Sequence, residues 1–189
     1  MKKLYLVLII VSFFCFGCQK SPSLLDEAQS SPTKSTFQAK LNGQLTLFNV
    51  ASATLARSAA TNQKRIDLQG VSADGTFRLI ITIGEPTAIG NAVTQKKYTV
   101  RLFNDDNPAT TADESEDSED GFFTYSTKVS NNWVTEIYAE NGEIVVTACN
   151  PTSAMVSGTF NTTSLNLVGG SDLTITEGKF TDIKYTVVN

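Results

Sequence analysis

Between Asp105 and Asp120 the chain carries eight carboxylates and no Lys or Arg: Asp105, Asp106, Asp113, Glu114, Glu116, Asp117, Glu119 and Asp120. A hard cation such as Ca²⁺ takes several oxygen ligands, and carboxylates close in sequence can supply them. Asp105, Asp106, Asp113, Glu114, Glu116 and Asp117 are the set a weak Ca²⁺ site would use. Their spacing is not that of an EF-hand, because Asp105-Asp106-Asn107-Pro108 lacks acids at alternate positions followed by glycine. Two carboxylates held ~5–9 Å apart would instead suit glycoside hydrolysis. The plain alternative is a solvated loop, 104–121, whose like charges repel. A second chemical set is aromatic. Tyr125, Trp133 and Tyr138 follow the acidic run, and on an exposed sheet face such side chains stack sugars or anchor a partner. At alternating spacing they equally fill a core. Trp133 follows Ser130-Asn131-Asn132, which places it at a strand end.

What is missing narrows the chemistry. The chain has no His, hence neither the commonest general base nor the commonest transition-metal ligand. It contains no P-loop, no G-x-S-x-G and no C-x-x-C. Its formal net charge is −4, a poor start for nucleic acid, whose binding rests on neutralising phosphates. The expectation is a protein without catalytic activity.

The elements that position these residues begin with an export signal. Lys2 and Lys3 precede an apolar run from Leu4 to Phe14, too short to span a bilayer, and no A-x-A site follows it. Instead Cys15-Phe16-Gly17-Cys18 resembles a bacterial lipobox, in which a small residue precedes the cysteine that is acylated. Gly17 and Cys18 fit that pattern; Cys15 and Phe16 depart from it, and an ordinary signal peptide or uncleaved anchor is the competing reading. The lipobox reading makes residues 1–17 a signal peptide, Cys18 the lipidated first residue, and 18–35, rich in Ser and Pro, a flexible tether. Gln19 rather than Asp after the cysteine suggests the outer membrane. Only Cys149 of the three cysteines then remains in the domain, expected as a buried thiol without a disulfide partner.

From Thr36 the hydrophobic period becomes two. Asn42-Gly43 between alternating runs signals a hairpin, as does Asp74-Gly75 before Phe77–Ile83, whose odd-numbered residues share one face. Asn141-Gly142 between Trp133–Glu140 and Glu143–Cys149 gives the same signal. Gly169-Gly170 reads as a break, Leu173–Thr176 alternates into Glu177-Gly178, and Phe180–Val188 is a closing strand. About ten to twelve short strands with no helix predict an all-β domain, 36–189, as an antiparallel β-sandwich or a partly open β-barrel.

Phe37-Gln-Ala-Lys-Leu-Asn-Gly43 resembles the F-x-A-K-x-N-G opening of a family of small Bacteroidota-type lipoproteins of unknown function. Gly142–Thr147, Val156-Ser-Gly-Thr-Phe160 and Ile175–Phe180 resemble later strands of that family. The resemblance implies a single lipid-anchored β domain and carries no activity. The functional expectation is a lipid-anchored cell-envelope protein with a binding or structural role, its partners the membrane through Cys18 and a glycan or envelope protein. A carboxylate hydrolase acting on surface glycans, or a calcium-binding protein, is the alternative.

Overall fold

The computed structural model describes residues 35–100, 121–166 and 172–189, which lie within one compact unit, Thr33–Asn189. Residues 1–34, with the expected signal peptide and Cys18, and residues 101–120, with the acidic run, fall outside the described residues.

The described residues form ten strands: β1 (Thr36–Leu41), β2 (Gln44–Ser58), β3 (Gln63–Ser72), β4 (Phe77–Glu85), β5 (Lys97–Thr99), β6 (Gly121–Val129), β7 (Asn132–Asn150), β8 (Met155–Asn166), β9 (Leu173–Lys184) and β10 (Thr186–Val188). Neighbours run β1-β9-β8-β7-β6-β4-β3-β2-β10, and β1 also pairs with β2. The sheet therefore curls back on itself. The β1–β2 ladder covers only Gln44–Phe48 of β2, and further along β2 the parallel strand β10 pairs with Thr54–Ala56. The result is an antiparallel, partly open barrel, joined along only part of its seam. The all-β, antiparallel class expected from the sequence holds, as one large sheet that does not close into a complete barrel.

Alternation explains the wall. Leu55, Ile66, Leu68, Leu79, Ile81 and Ile83 point inward and are fully buried, while the residues between them face out. Fully burying each such side chain is worth about 1.5–3 kcal/mol. Phe37, Phe48, Phe123, Phe160 and Phe180 fill the middle, with Phe37 and Phe160 edge to face at 5.7 Å and Phe160 and Phe180 stacked at 6.3 Å. Two glycines make room for them. On β8 and β9 the register sets Gly158 opposite Phe180 and Phe160 opposite Gly178, so each ring lies over the neighbouring strand's glycine. A Cβ on Gly178 would stand 2.5 Å from the Phe160 ring, and one on Gly158 would run into Val145 O and Phe180. The recurring G-x-F spacing of the sequence is thus a reciprocal interlock, the glycine-and-aromatic device that pins strand register.

The turns divide into those that behave as read and those that do not. Asn42 (φ 48) and Gly43 (φ 81) both occupy the left-handed region, as a type I′ hairpin requires. Asp74 fixes the β3–β4 turn by accepting from Ser72 Oγ (2.5 Å) and from Thr76 N and Oγ1, which together hold its carboxyl below its usual range. Asn141-Gly142 makes no turn. β7 runs straight through it, paired to β8 as Asn141↔Thr163 and Gly142↔Thr162, with a register shift between Ala139 and Asn141. Asn141 does not take a positive φ, whereas Gly142 sits at φ 138; the dipeptide is a bulge within a 19-residue strand. Glu177-Gly178 is likewise internal to β9, with Glu177 at φ 50. The closing strand expected over Phe180–Val188 instead divides at Tyr185, where the chain leaves β9 and crosses to β2.

Candidate ligand-binding groove

Among the described residues the interior is filled by side chains. A sheet of about eight strands encloses only enough space for its own side chains, and here the aromatic cluster occupies it. One end is also sealed, by residues 86–96. Val93 inserts into the core. Lys64 Nζ donates to Ile89 O at 2.9 Å, Tyr98 OH lies 2.8 Å from Thr94 O, and Tyr185 OH donates to Asn91 O at 2.5 Å.

At the centre of this seal Glu85 and Lys64 form a buried ion pair, Oε2 to Nζ at 2.9 Å, with side-chain exposures of 3% and 6%. Glu85 Oε1 accepts from Thr94 N and Tyr98 OH, each at 2.5 Å. Burial alone would raise the Glu85 carboxyl, but hydrogen bonds from Tyr98, Lys64 and Thr94 outweigh it and hold the group below its usual range. Burial, and then the Glu85 carboxylate beside it, pushes the Tyr98 hydroxyl well above its usual range. Every polar atom here is spoken for, so the cluster is a fastening. Sequence reading missed it because Lys64, Glu85 and Tyr98 sit at inward positions of three different strands, and nothing local marks a Lys or Glu as buried.

The open space lies outside the wall. A groove of about 650 Å³ runs over the outward faces of β2, β3, β4 and β6 and reaches the buried Phe123 and, on β7, Ala139, within the range of ~300–1,000 Å³ usual for ligand sites. Register builds it in rows. Thr54, Asp67, Thr82 and Phe122 stand side by side across the four strands, and Ser52, Gln69, Ile80 and Thr124 form the next row. Ala56 and Arg65 extend the first row's end. The surface is a strip of hydroxyls, an amide and one ion pair, with Ile80 and Phe122 as its apolar floor. Asp67 Oδ1 accepts from Thr82 Oγ1 at 2.7 Å, and Oδ2 accepts from Arg65 Nε at 3.0 Å. Among the described lining residues Asp67 is the single carboxylate.

The groove lies where β6 and β7 part. Their ladder runs from Val129↔Asn132 to Thr124↔Tyr138, and the same edge of β7 is then taken up by β5, with Thr99 opposite Glu143. Val100 and Gly121 bridge in parallel. Val100 and Gly121, the described residues on either side of 101–120, are thus neighbours. Asp105, Asp106, Asp113, Glu114, Glu116 and Asp117 themselves are outside the described residues, as is Cys18. Among the described residues no cluster of acids, Cys or His has the form of a metal site.

The three aromatic candidates separate. Tyr125 turns inward opposite Leu79 and packs on Phe77 at 5.5 Å, against the core. Trp133 is half-buried, one residue into β7, with the Arg78 guanidinium 5.0 Å and the Lys128 ammonium 5.6 Å from its ring centre. The side chain of Tyr138 lies outside the described residues. Sequence reading found Trp133 but not its cations, because Arg78 comes from β4 and only the β4–β6–β7 adjacency brings it alongside. Cys149 is buried as expected, its Sγ 3.7 Å from Tyr185 OH.

No curated protein and no solved structure matches this chain. Residues 33–184 match the model of a domain of unknown function, DUF6252, and the chain belongs to that family.

Proposed function

We propose that this is a non-catalytic, lipid-anchored envelope protein of the bacterial outer membrane, whose domain binds a saccharide in the outer groove. One observation carries the binding half: a groove of about 650 Å³ on the outside of a barrel whose inside is packed with phenylalanine. Ser52, Thr54, Gln69, Thr82 and Thr124 offer donors and acceptors that suit sugar hydroxyls, and Ile80 and Phe122 offer an apolar floor for the ring's C–H face. Asp67 and Arg65 orient the polar groups. The anchoring half rests on Gly17-Cys18 after the apolar run and on the polar stretch that follows.

Both halves are testable. On a glycan array the wild-type domain is expected to retain a subset of saccharides that a Thr82→Val/Gln69→Leu variant of unchanged melting temperature does not. Equal retention by both would refute groove binding. For the anchor, cells fed a fatty-acid analogue are expected to label the protein, and Cys18→Ser to abolish the label. Labelling that survives in Cys18→Ser, or a mature N-terminus other than residue 18 by mass spectrometry, would refute it.

A further inference from the structure

The patch around Trp133 is not part of the groove as just described, but it continues it. Within β4 and β6 the row beyond Ile80 and Thr124 is Arg78 opposite Ser126. Ser126 in turn faces Thr135, and Lys128 faces Trp133. Alternate residues on a strand lie about 7 Å apart, so Arg78 stands one side-chain row past the end of the groove, on the same outward face.

Arg78 and Lys128 both approach the indole, and among the described residues neither has a carboxylate partner. Arg78 Nε is buried without a hydrogen-bond partner. Burial also lowers the tendency of this guanidinium to hold its charge. Two cations gathered on one ring repel each other, and a buried N–H left unmade costs about 1–3 kcal/mol. Cation–π contact returns only about 0.5–1 kcal/mol each at such sites. An anion arriving at the guanidinium's other N–H groups and at the Lys128 ammonium would offset the repulsion between the two cations and the cost of the partly buried charge.

We propose that Arg78 and Lys128, positioned by Trp133, form an anion subsite at the end of the groove that selects saccharides carrying a carboxylate, the uronic acids. The proposal rests on the groove reading. A planar carboxylate matches the fork of a guanidinium in a bidentate pair, and a sugar seated over Ile80 and Thr124 would carry its next residue's acid group to Arg78. Inside the groove Asp67 does not oppose this, since Arg65 neutralises it at 3.0 Å. Nucleic acid is a poor occupant, because its affinity comes from many phosphates, while the chain as a whole is acidic.

The test is calorimetric titration of the domain with oligogalacturonate, a neutral malto-oligosaccharide of equal length, a sulfated oligosaccharide and single-stranded DNA. Wild type is expected to bind oligogalacturonate best, with affinity falling as salt rises. Arg78→Gln/Lys128→Gln should lose about ten- to a hundredfold in that affinity and most of the salt dependence, at unchanged melting temperature and neutral-sugar affinity. Trp133→Phe should retain more of the binding than Trp133→Ala. Equal affinity of wild type for acid and neutral sugars, tightest binding to the sulfated sugar or DNA, or undiminished oligogalacturonate binding by the double variant would each overturn the subsite. Failure of the groove reading looks different: oligogalacturonate binding would survive Thr82→Val/Gln69→Leu and still depend on Arg78 and Lys128.

Discussion

Glu85→Gln tests the fastening that seals one end of the sheet. The substitution keeps the shape of the side chain. Its carbonyl oxygen can still accept from Tyr98 and Thr94 N, but the amide nitrogen that replaces Oε2 faces Lys64 Nζ, donor against donor, where the ion pair measured 2.9 Å. Breaking a buried pair by removing one partner costs about 3–5 kcal/mol. Lys64 keeps one other acceptor, Ile89 O, so the lower half of that range, about 3 kcal/mol, is expected. Urea unfolding at pH 7 measures it. With a slope near 2 kcal/mol per molar, the midpoint should fall by about 1.5 M. Adding Lys64→Met removes the stranded ammonium while filling its stem's volume. Glu85→Gln/Lys64→Met should therefore be more stable than Glu85→Gln alone, with a coupling energy of about 2 kcal/mol. A loss below about 1 kcal/mol for Glu85→Gln, or additivity of the two substitutions within about 0.5 kcal/mol, would refute the fastening.

Gly158→Ala should cost about 2–4 kcal/mol, because the new Cβ meets Val145 O and the Phe180 ring, and overpacking forces both strands apart; thermal unfolding checks it, and an unchanged midpoint would contradict the interlock. Cys149 should resist a thiol reagent in the folded protein and react at once in denaturant, since it is buried; fast native labelling would contradict that placement. Stability should fall at both pH extremes. Glu85, held below its ordinary value near 4.5, stabilises the fold above that value, and its contribution is lost as pH falls through the lower folded one. Tyr98 and Tyr185 lie above their ordinary value near 10; they bind their protons more tightly when folded, so stability is intact below pH 10 and declines as pH rises beyond it. Melting curves from pH 3 to 11 should show both limbs, the alkaline one shallower in Tyr98→Phe.

Two identical dipeptides show what the sequence could and could not reveal. Asn42-Gly43 and Asn141-Gly142 carry the same hairpin signal. The first is a turn because its flanking strands pair with each other. The second is a bulge because both flanks pair with one unbroken partner, β8, a long-range fact that local propensity does not contain. Inward positions were legible from alternation on β1, β3 and β4, and so was the all-β class. The groove was half legible. Arg65, Asp67 and Gln69 are visibly the polar partners of Ile66 and Leu68, but a single strand does not announce its neighbours. Only the β2–β3–β4–β6 order turns four separate polar stripes into one surface. Likewise Trp133 stood out by residue type, while Arg78 acquires meaning only when β6 brings β4 and β7 to either side of it.

Amide chemical-shift mapping of the isotopically labelled domain with oligogalacturonate tests the central claim most directly. The largest shifts are expected at the outward positions Gln69, Arg78, Ile80, Thr82, Thr124 and the Trp133 indole, with the Leu55–Ile66–Ile81 interior and the 86–96 seal unmoved. Shifts concentrated at the seal, in the barrel interior, or absent at millimolar saccharide would contradict an outer-face binding site.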